Sequence, residues 1–372
     1  MIECRIAWSP GEARIAVCDE NGLVDFALWR PGMPDGYGDI HAVRVQKSAP
    51  ALGGAFVLLE NGSTGFLTGT HAEGALVTAR VTRSAQNGKG LRLKPDTAGR
   101  AGYVSTSTDS TTRDRPVLLT HGPSPLEELA ARYPEARLCC DAPALMALVP
   151  PALRPRIDRV SRAFDDVLEA ECDDLLSPHA ELAHGVRASF TPTPALTAID
   201  LDDPNPDQRR QMDGFSANRH AFSALARQIR MRNLSGAVLV DPAGVPLRKR
   251  PALGKFLAEA LQGDPMQPKM LGATALGLLE IVRTRGRPPL HEALASPGGR
   301  GLLALREILR DRNDRQPGRQ RGGAPVLRAS LAVTRALEAD RDALAQFSLE
   351  WGATLSVTMM PHYPDSYWSF DP

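Results

Sequence analysis

The fold is decided by three consecutive segments: PALTAIDLD at residues 194–202, SANRHAFSALARQIRMRNL at 216–234 and SGAVLVD at 235–241. The first and last are short apolar runs that end in acid, and the middle one has the apolar spacing of a helix. This order predicts a strand, a helix and a second strand. Such a crossover is almost always right-handed and places both strands in one parallel sheet. Asp200 and Asp241 are therefore expected together at the carboxyl ends of their strands.

Acidic residues at the ends of two buried strands suit a hard divalent cation. Adjacent strands lie about 4.8 Å apart, so two carboxylates can share one ion. Mg²⁺ prefers oxygen ligands and often needs only one or two carboxylates besides a substrate phosphate. Asp202 is a third candidate, because residues two apart on a strand point to the same side. The alternative is that these aspartates begin turns or cap helices, as the run Asp202-Asp203-Pro204 would. Ser216 is the predicted N-cap of the intervening helix.

Three phrases, in this order, resemble the catalytic region of the ribonuclease E/G family of bacterial endoribonucleases: ALTAIDLD (195–202), ARQIRMRNLSGAVLVD (226–241) and LGLLEIVRTRGRPPL (276–290). The resemblance implies Mg²⁺-dependent cleavage of single-stranded RNA to 5′-phosphate and 3′-hydroxyl ends, in rRNA maturation or mRNA turnover. It also implies that Asp200 and Asp241 hold the metal and that Asp202 assists.

This sequence departs from the family pattern at several positions. Asp202 stands where the family usually carries asparagine, and the added charge either strengthens metal binding or repels the scissile phosphate. Ala275 replaces a basic residue, and the loop before Asn218 is short, although Arg209 and Arg210 could compensate. A second hypothesis therefore stays open: an RNA-binding protein of this fold with weak or lost nuclease activity. Hydrolysis by a Ser or Cys nucleophile has no support, since no G-x-S-x-G elbow is present.

Composition limits the remaining classes. The 372 residues predict two or three domains, and the net charge of +1 excludes an overall polycation, so RNA must be held by local patches. The five cysteines form no C-x-x-C pair, and no structural Zn²⁺ is expected. Neither a signal peptide nor a long apolar run occurs, so we expect a cytoplasmic protein without membrane contact.

The predicted fold class is α/β (α+β overall), with segments that differ in composition and apolar pattern. The resemblance implies a ribonuclease H-like subdomain with an inserted S1/OB barrel, a DNase I-like catalytic subdomain and a small terminal domain. The predicted boundaries are 1–37 (meander of the ribonuclease H-like subdomain), 38–94 (S1/OB domain), 95–115 (flexible linker), 116–190 (ribonuclease H-like subdomain), 191–296 (DNase I-like subdomain), 297–324 (Arg-rich linker) and 325–372 (small C-terminal domain).

Two surfaces are expected to hold RNA. In the barrel, Phe56, Phe66 and Lys89 match the RNA-contacting positions of the family's S1-type domain, where bases stack on aromatic rings. The alternative is that a phenylalanine in a strand belongs to the core. Near the acidic pair, Arg248, Arg283 and Arg285 form a candidate basic rim, the last two around the end of a helix predicted over 274–283. Arginines at that end would also suit the helix dipole.

The two predicted linkers bear on 5′-end recognition and on dimer formation. Residues 95–115 are rich in Ser, Thr and Gly and stand where the family inserts a subdomain that recognises a 5′-monophosphate. We therefore expect cleavage that is indifferent to the 5′ end. Residues 297–324 contain none of the cysteines that bridge the family's dimer through zinc. A homodimer of this chain, if it forms, is expected without a zinc bridge.

Overall fold

The computed structural model describes residues 1–96, 115–203, 213–315 and 324–371. The described ranges contain twenty strands. In chain order they are β1 Glu3–Ser9, β2 Glu12–Asp19, β3 Gly22–Trp29, β4 Ile40–Ala49, β5 Gly54–Leu58, β6 Thr64–Thr68, β7 Leu76–Arg83, β8 Leu91–Pro95, β9 Val117–Thr120, β10 Arg137–Cys140, β11 Ile157–Arg159, β12 His179–Glu181, β13 Arg187–Pro192, β14 Leu196–Asp202, β15 Gly236–Asp241, β16 Lys269–Ala273, β17 Leu279–Arg283, β18 Val326–Ala329, β19 Ser356–Met359 and β20 Trp368–Asp371.

Eight α-helices lie within the same ranges: α1 Pro125–Arg132, α2 Asp166–Asp174, α3 Gly214–Met231, α4 Gly254–Ala260, α5 Leu290–Ala295, α6 Pro297–Arg315, α7 Leu331–Ala339 and α8 Arg341–Trp351. The chain divides into two compact units. One unit comprises Met1–Pro34, Ser124–Leu176 and Leu290–Pro372, and the other comprises Asp35–Pro123 and Ser177–Pro289. None of the helices in the described ranges has the length and apolar character needed to cross a bilayer.

A closed barrel forms the first part of the unit that begins at Asp35. Its strands follow the order β5-β6-β8-β7-β4, and a further pairing of β5 with β4 closes the ring. Apolar residues alternate along these strands because every second side chain points inward, and the interior contains Val43, Val57, Leu67 and Leu93. The predicted five-stranded OB barrel is confirmed. Strand β9 extends its sheet by pairing with β4, although the sequence placed this segment in the next domain.

A six-stranded sheet forms the second part of the same unit, in the order β12-β13-β14-β15-β17-β16. The predicted strand-helix-strand crossover is confirmed, because β14 and β15 pair in parallel and α3 connects them. Helices α3 and α4 cover one face, and the core between helices and sheet contains Ile199, Val238, Phe222, Leu225 and Leu257. Helix α3 begins one residue after Asp213, whose side chain accepts the Ser216 N–H at 2.9 Å. Asp213, not the predicted Ser216, is therefore the N-cap.

The other unit contains two sheets. The predicted N-terminal meander β1-β2-β3 is completed by β10 and β11, in the order β11-β10-β1-β2-β3. A three-stranded sheet, β19-β18-β20, packs with α6, α7 and α8 around Leu305, Leu337 and Phe347. The acidic run that forms α2 is paired with arginines on one side: Arg14 contacts Asp173, and Arg306 contacts Glu169. These ion pairs lie inside this unit.

Two predicted segments have a different structure. The helix predicted over 274–283 is wrong: residues 279–283 form β17, in which Leu279, Ile281 and Arg283 are buried alternately with Glu280 and Val282. The alternation has the period of a strand, and a turn at Gly277 joins β17 to β16.

The linker predicted over 297–324 is also wrong for its first nineteen residues, which form helix α6. Leu302, Leu305, Ile308 and Leu309 recur at helical spacing and are buried, while arginines and aspartates lie between them. The high charge of the segment concealed this apolar face. Residues 316–323 lie outside the described part of the chain, as do 97–114 of the other predicted linker.

Candidate active site and nucleic-acid interface

Asp200 and Asp241 are register partners in the parallel pair β14–β15. Neighbouring strands are about 4.8 Å apart, and partners in register point to the same side of the sheet. Along β14, Thr197, Ile199 and Leu201 are buried under the helices, so Asp200 and Asp202 project from the opposite face. The register therefore brings together the acidic residues predicted from the sequence, on the face of the sheet that the helices leave open.

The carboxylate of Asp200 is placed among other negative charges. Its pKa is raised, first by partial loss of hydration and then by the charges of Asp241 and Asp202. Within the described part of the chain, no hydrogen bond or ion pair occupies this carboxylate. Asp202 is exposed, and its Oδ1 accepts the N–H of Asp203 at 2.8 Å. A cation would relieve the repulsion that raises the pKa of Asp200.

Asp241 already has one cationic neighbour. Arg250 donates from Nη1 to Asp241 Oδ1 at 2.6 Å and from Nε to the Val245 carbonyl at 2.8 Å. The Arg250 side chain is 19% exposed, so it is held mainly by protein, whereas Asp241 is 45% exposed. One oxygen of Asp241 thus faces a fixed guanidinium, and Oδ2 makes no hydrogen bond within the described ranges. This contact could not be read from the sequence, in which Arg250 was one of three adjacent basic residues.

A buried asparagine holds the loop that follows Asp241. Asn218 is fully buried, its Nδ2 donates to the carbonyls of Gly214 and Ala243 at 2.6 and 2.8 Å, and its Oδ1 accepts the Ala243 N–H at 3.1 Å. Gly214 lies so close to Gly244 that a Cβ would strike its carbonyl. The start of α3 and the loop after β15 are thereby fixed together, which positions the end of the strand that carries Asp241.

The open face carries a further acid that the sequence reasoning missed. Glu280 of β17 is the register partner of Leu239, two residues before Asp241. Its burial alternates with that of Leu279 and Ile281, so it shares the face of Asp241 at a diagonal position, about 7–8 Å away between backbones. The helix wrongly predicted here hid this relationship, since only a strand at this register brings Glu280 to that face.

The donor set suits a hard cation better than a soft one. The candidate ligands on this face, Asp200, Asp202, Asp241 and Glu280, all end in carboxylate oxygens, the ligand type that Mg²⁺ prefers. Among the residues that the structure describes, no group of three or more His, Cys, Asp or Glu side chains converges as a metal site. A cation bound by the Asp200–Asp241 pair would have two protein ligands, a number that Mg²⁺ tolerates when water and phosphate complete its shell.

On the barrel, both predicted aromatic residues lie on the outer surface. Phe56 and Phe66 are register partners on β5 and β6, with ring centroids 5.6 Å apart in an edge-to-face arrangement. Phe56 is 42% exposed, which argues against the core alternative for this residue. Phe66 is half-buried because its ring lies over Gly54, where a Cβ would collide with it.

The register extends this aromatic pair into a row across the barrel surface. On one side Lys47 of β4 is the partner of Phe56, and on the other Arg92 of β8 is the partner of Phe66. Arg83 of β7 follows as the partner of Arg92. An exposed ring and a half-buried ring, flanked by cations, match the requirements for binding a single-stranded nucleic acid. Lys47, Arg92 and Arg83 were missed by the sequence reasoning because only the strand register reveals the row.

Lys89, the remaining predicted barrel residue, lies at a hairpin. It is exposed, and its backbone pairs with Gln86 across a turn in which Asn87 and Gly88 have positive φ. The same hairpin joins the barrel to the six-stranded sheet: Gln86 Nε2 donates to the Gly286 carbonyl at 2.9 Å, and Ser84 N donates to the same oxygen at 3.0 Å. The hairpin thus connects both candidate surfaces within one unit.

The three arginines of the predicted basic rim have different surroundings. Arg248 is exposed in the turn Leu247–Leu253, and Arg285 is half-buried with its guanidinium against Gly236. Arg283 is only 2% exposed and pairs with Asp264 at 2.8 Å, with further bonds to Asn233 and the Leu234 carbonyl. The guanidinium of Arg283 is therefore committed to internal partners. Arg209 and Arg210 lie outside the described residues.

The Asp200–Asp241 site lies within a region of the chain that is similar to known proteins. Residues 144–286 match the model of the ribonuclease E/G family. Ribonuclease G of Escherichia coli (strain K12) is 28% identical over 213 residues, which cover 53% of this chain and 42% of the relative. Ribonuclease E of the same strain is 29% identical over 129 residues, covering 34% of this chain and 12% of the relative.

A third relative gives a similar result. Ribonuclease E of Synechocystis sp. is 28% identical over 143 residues, covering 37% of this chain and 21% of the relative. The chain thus spans less than half the length of the curated relatives that it matches. The region matched by the family model includes Asp200, Asp241, Asn218, Arg250 and Glu280.

Proposed function

We infer that this chain is a member of the ribonuclease E/G family and an endoribonuclease that cleaves single-stranded RNA in RNA processing or decay. The observation that carries this proposal is the register pairing of Asp200 with Asp241 at the ends of two parallel strands. Their carboxylates lie on the open face of the sheet, where a polyanion can approach. Phe56 and Phe66 on the barrel surface belong to the same compact unit as the aspartate pair.

Asp200 and Asp241 are the residues that would hold Mg²⁺. When bound, the ion supplies Lewis-acid stabilisation of the charge that develops on the phosphate. Asp200 offers a carboxylate with no protein partner in the described ranges, and Asp241 offers its Oδ2. Asp202 adds negative charge beside the pair and assists binding of the cation. The proposed products carry 5′-phosphate and 3′-hydroxyl ends.

Arg250 gives this site a fixed positive charge. Its bond to Asp241 Oδ1 orients the carboxylate, so that Oδ2 is the oxygen turned toward a cation. A guanidinium 2.6 Å from that carboxylate also adds positive charge beside the aspartate pair, and this charge favours a polyanion. We therefore include Arg250 and the exposed Arg248 in the RNA-contacting set, together with the half-buried Arg285.

The row of side chains on the barrel surface (Lys47, Phe56, Phe66, Arg92 and Arg83), here called the barrel row, holds the RNA strand outside the cleavage site. Phe56 and Phe66 supply ring surfaces for unpaired bases, and Lys47, Arg92 and Lys89 supply charge for the phosphates between them. Stacking of this kind requires unpaired bases, so single-stranded RNA is favoured over duplex. Residues 95–115 stand where the family inserts the subdomain that recognises a 5′-monophosphate. We therefore expect equal cleavage rates for 5′-phosphorylated and 5′-hydroxylated substrates.

The second candidate function is RNA binding without efficient cleavage. The observation in its favour is that Asp241 is already paired with Arg250 while Asp202 adds charge near the phosphate position. A fluorescent AU-rich oligonucleotide, incubated with the wild-type protein over a range of Mg²⁺ concentrations, separates the two. Mg²⁺-dependent cutting supports the nuclease, and binding without cutting at every Mg²⁺ concentration supports the RNA-binding protein.

A further inference from the structure

Two exposed histidines meet at a place that the proposed nuclease chemistry does not use. His184 lies in the short turn Ala183–Gly185, and His220 lies in the second turn of α3. Their ring centroids are 5.2 Å apart, with the ring planes at 72°. Both side chains are exposed to solvent. A pair of imidazoles on two separate elements is therefore accessible to an ion from solution.

The tautomer of His220 is set by its neighbour. The ring nitrogen Nδ1 lies 2.7 Å from the Ser216 carbonyl oxygen, which can only accept a hydrogen bond. Nδ1 must therefore carry the proton and donate it, which leaves the Nε2 lone pair of the neutral ring free. Histidines that bind metals in proteins usually donate their second ring N–H to a carbonyl or carboxylate in this way.

We propose that His184 and His220 together bind a divalent transition ion of the Zn²⁺ type. Zn²⁺ binds imidazole nitrogen at about 2.0–2.1 Å, which puts each ring centre about 3.2 Å from the ion and two tetrahedral ligands about 5.2 Å apart. The observed centroid separation equals this value. Imidazole suits Zn²⁺, Cu²⁺ and Ni²⁺, whereas carboxylate and water suit Mg²⁺, so the site does not compete with the aspartate pair.

The backbone of His184 supports a constrained role for its ring. Its φ is +59° and its ψ is 28°, a left-handed conformation that is uncommon outside glycine, although asparagine, aspartate and histidine adopt it more often than other residues. Such a conformation costs free energy and persists where the surroundings fix it. Within the described residues the His184 ring makes no hydrogen bond, and its recorded contact is with His220. The His184 imidazole thus lies beside the His220 ring, whose Nε2 lone pair is free.

Binding would join the turn at His184 to helix α3. No third His, Cys, Asp or Glu completes a metal cluster among the described residues, so water fills the remaining positions. This is a two-ligand surface site and differs from a cysteine-based structural zinc site. Since the ion binds the folded state, it should raise the melting temperature with increasing metal concentration.

The test titrates the full chain with Zn²⁺ by calorimetry, in buffer that contains excess Mg²⁺ to saturate carboxylate sites. The variants are His184→Gly, which suits the positive φ, and His220→Ala, which keeps a good helix former on an exposed surface. The control is His179→Ala, which removes another exposed histidine, on β12 of the six-stranded sheet. We expect one Zn²⁺ per chain in the wild type and in His179→Ala.

Either site variant should bind Zn²⁺ more weakly by about tenfold or more, and the Zn²⁺-dependent rise in melting temperature should disappear with it. The metal-free melting temperature of His184→Gly should equal or exceed that of the wild type, which shows that folding is intact. Wild-type affinity in both site variants, or the same loss in His179→Ala, would overturn the proposal. Both readouts are independent of RNA cleavage.

Discussion

Arg250 Nη1 lies 2.6 Å from Oδ1 of Asp241, at the end of the strand whose aspartate is the register partner of Asp200. The site thus combines two carboxylates that repel one another with one guanidinium that is held by the Val245 carbonyl. The Arg250 guanidinium and a Mg²⁺ ion from solution would both contact the Asp241 carboxylate. In the proposed nuclease, the Mg²⁺ dependence of cleavage is therefore expected to be sensitive to Arg250, which is not itself a proposed metal ligand.

Replacing Arg250 should separate metal binding from turnover. In Arg250→Ala, Asp241 loses its competing cation, so the Mg²⁺ concentration at half-maximal rate should fall. The maximal rate should also fall, by about 10- to 100-fold, because the carboxylate is no longer oriented. Cleavage rates over a Mg²⁺ series give both values. Lys249→Ala, an exposed neighbour in the same turn, is the control and should change neither. An increased Mg²⁺ requirement in Arg250→Ala would contradict this account.

Asn218 should be needed for the geometry of the site. In Asn218→Asp an oxygen replaces the amide nitrogen that donates to the carbonyls of Gly214 and Ala243. The buried repulsion should lower the free energy of unfolding by about 1–3 kcal/mol and reduce cleavage of RNA. Urea unfolding and a cleavage assay measure the two effects. Ser223→Ala, at an exposed position of the same helix, is the control. Full activity in Asn218→Asp would show that the loop after β15 does not position Asp241.

The barrel row should govern RNA affinity without affecting the chemical step. Phe56→Ala should weaken binding of a single-stranded oligonucleotide by about 1–3 kcal/mol, roughly 5- to 150-fold, through loss of one stacking surface. Leu52→Ala removes an apolar side chain that is 65% exposed on the same barrel and should have little effect. Fluorescence anisotropy measures both. Equal losses in the two variants would mean that Phe56 acts only through barrel stability.

The cations of the row should be recognised by their salt dependence. Arg92→Gln should reduce the slope of log affinity against log salt concentration by about 0.7, the value for one phosphate contact on a single strand. Affinities measured at several salt concentrations give the slope. Glu60→Gln changes a charge of opposite sign on the barrel and should not reduce it. An unchanged slope in Arg92→Gln would remove Arg92 from the interface.

Arg283 should contribute to folding through its buried pair. Arg283→Ala leaves Asp264 buried without its partner, which should cost about 3–5 kcal/mol of unfolding free energy. The double variant Arg283→Met with Asp264→Leu removes both charges and should be the more stable of the two. Chemical denaturation compares them. If Arg283→Ala unfolds like the wild type but binds RNA weakly, the basic-rim interpretation of this residue is restored.

The sequence predicted the crossover and its acidic ends because periodicity and strand handedness are local and strongly constrained. It failed where two patterns overlapped. Leu276 to Arg283 satisfies a helical spacing as well as a strand alternation, and only its pairing with β15 selects the strand. The apolar face of α6 was hidden by the charges between its leucines, which the core around Leu337 and Phe347 buries.

Long-range register was beyond the reach of sequence reasoning. The row from Lys47 to Arg83, the diagonal position of Glu280 and the Arg250–Asp241 bond each join residues whose separation along the chain does not indicate contact. The burial of Arg283 was missed for the same reason, since Asp264 is not adjacent in sequence. Such relationships decide which of many charged residues face a substrate.

The most direct test is single-turnover cleavage of an unpaired RNA with Mg²⁺ by the wild type, Asp200→Asn, Asp241→Asn and Asp202→Asn, with Glu181→Gln as an exposed acidic control on the same sheet. RNA binding without metal is measured in parallel. We predict that Asp200→Asn and Asp241→Asn bind RNA like the wild type but cleave it at least about 100-fold more slowly, since even outer partners of metal ligands cost about 10- to 100-fold. Asp202→Asn and Glu181→Gln should still cleave. Wild-type cleavage by Asp200→Asn or Asp241→Asn would contradict the central claim that this aspartate pair holds the catalytic metal.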